Sequence, residues 1–186
     1  EFSFDSKKSL INQRELGNHT KWFPEAIRAA LREDPDVIMV WEMRDPETIK
    51  AAITLAETGH LVLSTLHTND TVQSIDRIID VFPSGQQEQI RMQLALSLVG
   101  IVSQRLVPRS DKDWRIASRE ILISNDAVRN LIITWKTHQL YSVIEIWGKE
   151  WMIIMDKYLS ILYKKWIIDK STMESYARDK EWIHML

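Results

Sequence analysis

Residues 37–70 read VIMVWEMRDPETIKAAITLAETGHLVLSTLHTND, and they predict a strand, a helix and a second strand. The apolar runs Val37–Val40 and Leu61–Leu66 are the strands. Pro46–Thr58 has the length of one helix, with an aspartate before it as a cap and a glycine after it as a stop. A crossover of this kind makes the strands parallel neighbours with a right-handed connection. The stretch therefore predicts an α/β fold.

An acid and a base follow these two strands. Glu42 comes just after the first strand and His67 just after the second. Because the carboxyl ends of parallel strands meet at one edge of a sheet, we expect both residues at the edge where open α/β folds bind ligands. His60 begins the second strand, so we expect it near the opposite edge unless the chain bends.

Composition excludes several classes of function. The chain has 186 residues and a formal net charge of -2, so it lacks the basic field that holds a nucleic-acid backbone. It contains no cysteine, which excludes disulfides and thiolate metal sites and fits a reducing compartment. Histidine spacing indicates no metal site. Neither a signal peptide nor an apolar run of ~20 residues is present, so we expect no direct membrane insertion.

Glycine is scarce and tryptophan abundant. A chain of this length ordinarily carries about 13 glycines, yet this one has 5 Gly and 8 Trp. Trp135, Trp147 and Trp166 stand where a loop or a helix end ordinarily uses glycine. The deficit and the excess therefore suggest one common cause.

The rest of the chain predicts two regions, 1–124 and 125–186. In the first we expect an edge strand or hairpin before residue 20, a helix over Trp22–Glu33, a long helix over Gln86–Arg105 and a strand over Arg115–Ser124. From Asn125 onward only helix signals occur. The last helix is expected to begin at a capping box, Ser171 to Glu174.

In order, these segments resemble the motor domain of type IV pilus retraction (twitching motility) ATPases, within the type II/IV secretion ATPase superfamily. Leu31–Val40 followed by Glu42–Asp45 resembles the family's Walker B segment. Ala56–Val62 continuing to Thr65–Thr68 resembles its His box. Ala127–Leu131 differs from the motif of retraction motors only by valine for isoleucine. The resemblance runs from residue 1 to about residue 178.

The resemblance implies a RecA-like P-loop NTPase core, a parallel-rich sheet flanked by helices, with an all-helical C-terminal region. It implies ATP hydrolysis with Mg²⁺, in which Glu42 orients or deprotonates the attacking water. Glu1 corresponds to the end of an acidic box that serves metal and water. His67 would sense the γ-phosphate, and His60 is a second candidate for that role.

Partners follow from the same resemblance. Arg14 and Arg77 are possible contacts to a neighbouring subunit's nucleotide. Ala127, Val128, Arg129, Asn130 and Leu131 would couple the motor to the pilus. We expect a homo-hexamer in the cytoplasm, peripheral at the inner membrane through basal-body inner-membrane proteins, with no nucleic acid bound and no protein-held metal.

Two departures limit these expectations. The phosphate-binding loop G-x-x-x-x-G-K-[ST] is absent, because Gly148-Lys149 is followed by glutamate and position 143 is valine. We expect that the sequence begins after that loop and that this portion alone does not hydrolyse ATP. Trp41 stands where the family has glycine, and its indole should obstruct the site.

Two alternatives remain. One is a pilus-assembly or type II secretion ATPase, which the absence of cysteine disfavours because those relatives often carry a four-cysteine zinc insertion. The other is a non-catalytic assembly module that keeps the fold without binding nucleotide.

Overall fold

The computed structural model describes residues 3–148 and 151–180. Contacts divide the chain into two compact units, residues 1–65 and residues 66–186. The predicted boundary between residues 124 and 125 stays a prediction. No helix in the described ranges is long and apolar enough to cross a membrane.

The first unit is the predicted strand–helix–strand preceded by a helix. The strands pair in parallel, with Val37 opposite Leu61 and Val40 opposite Ser64, which confirms the parallel neighbours. Asp45 caps the second helix by accepting a hydrogen bond from the N–H of Thr48. The elements are α1 (Phe23–Ala30), β1 (Val37–Val40), α2 (Pro46–Glu57) and β2 (Leu61–Ser64).

The segment before α1 differs from the expectation. Residues 3–20 form no regular strand, and their only β-bridge joins Leu16 to Thr20 around a tight turn. The N–H of Gly17 donates to the carbonyl of Thr20 at 2.8 Å. The predicted edge strand or hairpin is therefore wrong for the described part of this segment.

The second unit combines an antiparallel hairpin with helices. Its hairpin pairs Gly100 with Ile123 and Pro108 with Arg115. The elements are α3 (Thr71–Asp80), α4 (Ser84–Ser97), β3 (Gly100–Pro108), β4 (Arg115–Ile123), α5 (Asp126–Ile133), a 3-10 helix (Thr137–Gln139), α6 (Leu140–Ile146), α7 (Met155–Lys164) and α8 (Lys170–Tyr176). One apolar core joins β3, α7 and α8 through Val107, Met155, Leu159, Leu162, Ile168 and Met173.

Three predictions for this unit need correction. The long helix over Gln86–Arg105 is wrong, because α4 ends at Ser97 and the chain continues as β3. Gly100 permits that pairing, since a Cβ there would lie 2.9 Å from the carbonyl oxygen of Leu122. The capping box of the last helix is also wrong, because Asp169 is the N-cap and accepts from the N–H of Thr172.

The third correction concerns the C-terminal region, which is not entirely helical in its described part. Ile153 lies in an extended segment and pairs with Ile121 of β4. The N–H of each residue donates to the carbonyl of the other, at 2.8 and 3.1 Å. This segment precedes α7, which begins at Met155.

Candidate functional site

The candidate site is the carboxyl end of β1 and β2. The hydroxyl of Ser64 donates to the carbonyl of Val40 at 2.8 Å and ties the two strand ends together. Backbone pairing continues beyond the strands, because the N–H of Met43 donates to the carbonyl of Thr65 at 3.2 Å. Glu42 therefore leaves the sheet at the predicted edge, held between two paired positions.

The backbone of Glu42 is unusual. Its φ of 55° lies in the left-handed region, which a residue other than glycine seldom adopts. The N–H of Glu42 donates to the hydroxyl of Thr65 at 3.2 Å and holds this conformation. Left-handed residues that their surroundings hold in place concentrate at functional sites. The left-handed backbone of Glu42 is therefore a second observation at this position, beside its sequence motif.

The carboxylate of Glu42 is partly buried and paired. It forms an ion pair with the guanidinium of Arg44, and 23% of the Glu42 side chain is exposed, against 72% for Arg44. A positive charge that is mostly in water attracts the carboxylate only weakly. Glu42 thus remains able to accept a proton or a hydrogen bond from a water beside it.

A cleft of about 600 Å³ opens beside Glu42. Its walls combine aromatic side chains with charges of both signs. Trp41 forms part of the wall and is 45% exposed. The lining residues are Leu16, Lys21, Trp22, Phe23, Pro24, Trp41, Glu42, Arg44, Asp45, Glu47 and Thr48.

Asp45, a second acid in the cleft, has a structural task. Both of its carboxylate oxygens accept from Thr48, one from the backbone N–H and one from the hydroxyl, each at 2.8 Å. Burial acts to raise the pKa of Asp45, but the hydrogen bonds from Thr48 outweigh it and hold this pKa below its ordinary value. Asp45 is therefore an ionised helix cap and a poor base.

The two candidate histidines lie in different places. His60 precedes β2 at the end opposite Glu42, where its Nδ1 lies 3.2 Å from the carbonyl of Leu55 and 3.1 Å from the hydroxyl of Thr58. These contacts close the end of α2 and give His60 a structural task. His67 is exposed and belongs to the second unit. Its role as a phosphate sensor stays a prediction.

The remaining candidates are dispersed. Arg14 pairs with Glu33 at 2.6 Å, and Arg77 is exposed in the last turn of α3. Glu1 lies outside the described residues. For each of these three, the proposed contact to nucleotide or metal stays a prediction.

The coupling motif forms the first turns of α5. Asn125 caps that helix by accepting from the N–H of Val128 at 2.9 Å. Val128 and Leu131 are buried, whereas Asn130 is exposed. Arg129 is 41% exposed and pairs with Asp126 at 3.0 Å. Packing thus accounts for the apolar members of the motif and leaves the polar ones at the surface.

Sequence reasoning missed one buried carboxylate, Glu120 on β4, which is 2% exposed. One of its oxygens accepts from the backbone N–H and the hydroxyl of Thr71, at 2.9 and 2.7 Å. The other accepts from the N–H of Met155 at 3.2 Å. Glu120 therefore caps the first residues of two helices, α3 and α7. Glu120 lies two residues from Ser118 and two from Leu122, so all three share the buried face of β4, and this spacing was the signal for its burial.

The described residues include no group of three or more His, Cys, Asp or Glu side chains placed to hold a metal ion. A divalent ion at the Glu42 cleft would therefore need oxygen ligands from water or from a bound molecule. Magnesium binds in this way when phosphates share it with one or two carboxylates.

Comparison with known proteins gives one consistent result. The family model described as type II/IV secretion system protein matches residues 6–142. A twitching motility protein of Neisseria gonorrhoeae is 50% identical over 97% of the chain and 48% of its own length. The type IV pilus retraction ATPase PilT of Pseudomonas aeruginosa is 45% identical over 97% of the chain and 52% of its own length.

A solved structure agrees. The crystal structure of the pilus retraction motor PilT with bound ADP superposes with a TM-score of 0.88 at 46% identity. The match covers 99% of this chain and 52% of that one. The chain thus spans about half the length of the relatives it matches.

Proposed function

The chain belongs to the type II/IV secretion system protein family, and from this membership and the Glu42 cleft we propose that it is part of an ATP-hydrolysing motor for type IV pilus retraction. The observation that carries the proposal is the identity of 45–50%, over 97% of the chain, to relatives named for twitching motility and pilus retraction. The retraction motor whose structure is similar was solved with ADP, which supports a nucleotide as the ligand.

In the proposed reaction Glu42 is the group that acts on water. Transfer of a γ-phosphoryl group requires positioning and charge stabilisation more than covalent chemistry. The partly buried carboxylate can accept a hydrogen bond from the attacking water and take its proton as the bond to phosphorus forms. The N–H of Glu42 donates to the hydroxyl of Thr65 and the N–H of Met43 donates to the carbonyl of Thr65, and these two bonds hold residue 42 at the strand edge.

The proposed cofactor is Mg²⁺ carried by ATP. Phosphate oxygens and water would supply most of its ligands, and Glu42 is the proposed ligand on the protein, directly or through water. When bound, the ion neutralises charge on the phosphates. The phosphate-binding loop absent from these 186 residues would have to come from elsewhere in the working motor.

The architecture and partners that we propose follow from the family. The fold is RecA-like, with regions 1–124 and 125–186, and the subunits assemble as a homo-hexamer in the cytoplasm against inner-membrane proteins of the pilus base. Arg14, Arg77 and Glu1 are candidate contacts around a nucleotide. His67 is the proposed γ-phosphate sensor. His60 is the second candidate for that role.

A pilus-assembly ATPase is the second candidate, and a genetic experiment separates the two. Deleting the gene of a retraction motor should leave pili on the cell surface while twitching stops. Deleting an assembly ATPase should remove the pili. Surface pili are counted by electron microscopy and twitching is measured as colony spreading. Loss of pili in the deletion strain would overturn the retraction assignment.

A further inference from the structure

Three tryptophans occupy backbone conformations that favour glycine. Among the described residues other than glycine, φ is positive at Asp34, Glu42, Trp135, Trp151 and Trp166. The tryptophan values are 62°, 69° and 59°. For a bulky side chain, a residue in this region is a genuine outlier, because its Cβ approaches the following carbonyl oxygen.

The end of α2 shows what such a position ordinarily holds. Gly59 has φ 96° and follows the last turn of the helix. Its N–H donates to the carbonyl of Ala56 at 3.1 Å, and the N–H of His60 donates to the carbonyl of Leu55 at 3.3 Å. These two bonds define the Schellman ending, whose left-handed residue is usually glycine.

The end of α7 has the same two bonds around a tryptophan. The N–H of Trp166 donates to the carbonyl of Tyr163 at 2.8 Å, and the N–H of Ile167 donates to the carbonyl of Leu162 at 3.0 Å. Trp166 therefore occupies the position in α7 that Gly59 occupies in α2. Its side chain is 80% exposed, so packing does not compensate for the strained backbone.

The end of α5 repeats the arrangement a third time. The N–H of Trp135 donates to the carbonyl of Ile132 at 3.4 Å, and the N–H of Lys136 donates to the carbonyl of Leu131 at 2.9 Å. Trp135 does have a side-chain contact, because the guanidinium of Arg91 lies 3.0 Å from its ring centroid. This contact offsets part of the backbone cost at position 135 alone.

The other tryptophans are also poorly packed. Each one in residues 3–148 and 151–180 is between 38% and 86% exposed, although tryptophan is highly buried on average in folded proteins. Glycine and tryptophan together number thirteen in the chain, which equals the roughly 13 glycines expected for its length.

We infer that positions 135, 151 and 166 are glycine positions of the working protein, because the codon that gives tryptophan there is decoded as glycine in the cell that makes it. One codon that specifies tryptophan in one genetic code and glycine in another explains both the low number of glycines and the high number of tryptophans. Trp22 and Trp41 would change with the others, so the cleft at Glu42 would lose two indoles from its wall. This last consequence rests on the proposed function, whereas the inference itself rests on backbone geometry.

Thermal unfolding tests the geometry. The double variant Trp151→Gly, Trp166→Gly should raise Tm by about 4–8 °C, because glycine adopts the left-handed backbone conformation without the steric cost of a Cβ atom. The matched Trp151→Ala, Trp166→Ala variant keeps both Cβ atoms and should stay within about 2 °C of the parent. Trp135→Gly should gain less, because it loses the contact to Arg91. Trp22→Gly, at an extended φ of -152°, should give no increase.

Peptide masses test the decoding. In protein isolated from its cells of origin, the peptides that span positions 151 and 166 should have the masses of glycine. Peptides with tryptophan masses would overturn the decoding inference. A double glycine variant no more stable than the double alanine variant would overturn the geometric argument. Neither measurement depends on ATP hydrolysis, so failure of the proposed function remains distinguishable.

Discussion

Glu42 in the first unit and Glu120 in the second are the same residue type in opposite settings. Glu42 lies at a strand edge beside a cleft, with a strained backbone and a largely exposed cation as its partner. Glu120 is 2% exposed, and three N–H or O–H groups donate to its two oxygens. The comparison teaches that burial with full hydrogen bonding makes a carboxylate a structural cap, whereas a strand edge leaves one available for chemistry.

The largest expected effect comes from changing the exposed face of α5 in the second unit, which should separate pilus retraction from ATP hydrolysis. Replacing Arg129 and Asn130 by alanine should abolish retraction and spare most ATP hydrolysis, because α5 keeps its buried Val128 and Leu131. Twitching and steady-state hydrolysis are measured together at matched protein levels. Persistent retraction would mean that the motif serves only to cap and pack α5.

Glu120→Gln tests the structural half of the comparison. An amide lacks the second acceptor oxygen and turns a donor toward a buried N–H, so we expect a loss of about 3 kcal/mol in the free energy of unfolding. This corresponds to a Tm roughly 6–12 °C lower. Glu42→Gln is the matched control and should leave Tm unchanged. Equal Tm values for the two variants would remove the distinction between the carboxylates.

His67→Ala examines the nucleotide side of the comparison. If its ring contacts a γ-phosphate, the loss should reduce the preference for ATP over ADP by about tenfold, while ADP affinity changes little. Binding of both nucleotides is titrated with the protein expressed from its complete gene. A similar loss for both nucleotides would indicate a structural histidine.

Asp45 gives a smaller effect with a defined pH dependence. Asp45→Ala should cost about 1 kcal/mol at neutral pH through loss of the α2 cap. Because the pKa of Asp45 is lowered in the folded protein, its contribution is present above the ordinary value of 3.8 and is lost as pH falls through the folded value. The difference in unfolding free energy between parent and variant, measured in denaturant melts, should therefore shrink from pH 7 to pH 2. Asp45→Asn keeps the cap but should lack this pH dependence.

The sequence predicted the local elements well and the long-range pairing poorly. β1, α2 and β2 were predictable because Asp45 and Gly59 mark the helix ends and the apolar runs are short. The strand β3 was missed because Ile90, Leu94 and Ile101 share a helical spacing, and only pairing with β4 overrides it. Glu120 was missed for the same reason, since its partners are distant in sequence.

The candidate site was likewise predictable only in part. Glu42 was predictable from its place after a short apolar strand, but its left-handed backbone and its contacts to Thr65 depend on the register of β1 against β2. His60 was expected near the edge opposite Glu42, and its contacts at the end of α2 agree with that expectation. The cap at Asp169 was missed because the Ser171 capping box offered a plausible start two residues later.

The central claim is that Glu42 acts on the water that attacks the γ-phosphate, and steady-state ATP hydrolysis by Glu42→Gln tests it most directly. In the protein expressed from its complete gene, we predict turnover at least ~100-fold below the parent, with Tm and ATP affinity retained, because the amide keeps the shape but cannot take the proton. Turnover within about twofold of the parent would contradict the claim and remove Glu42 from the reaction.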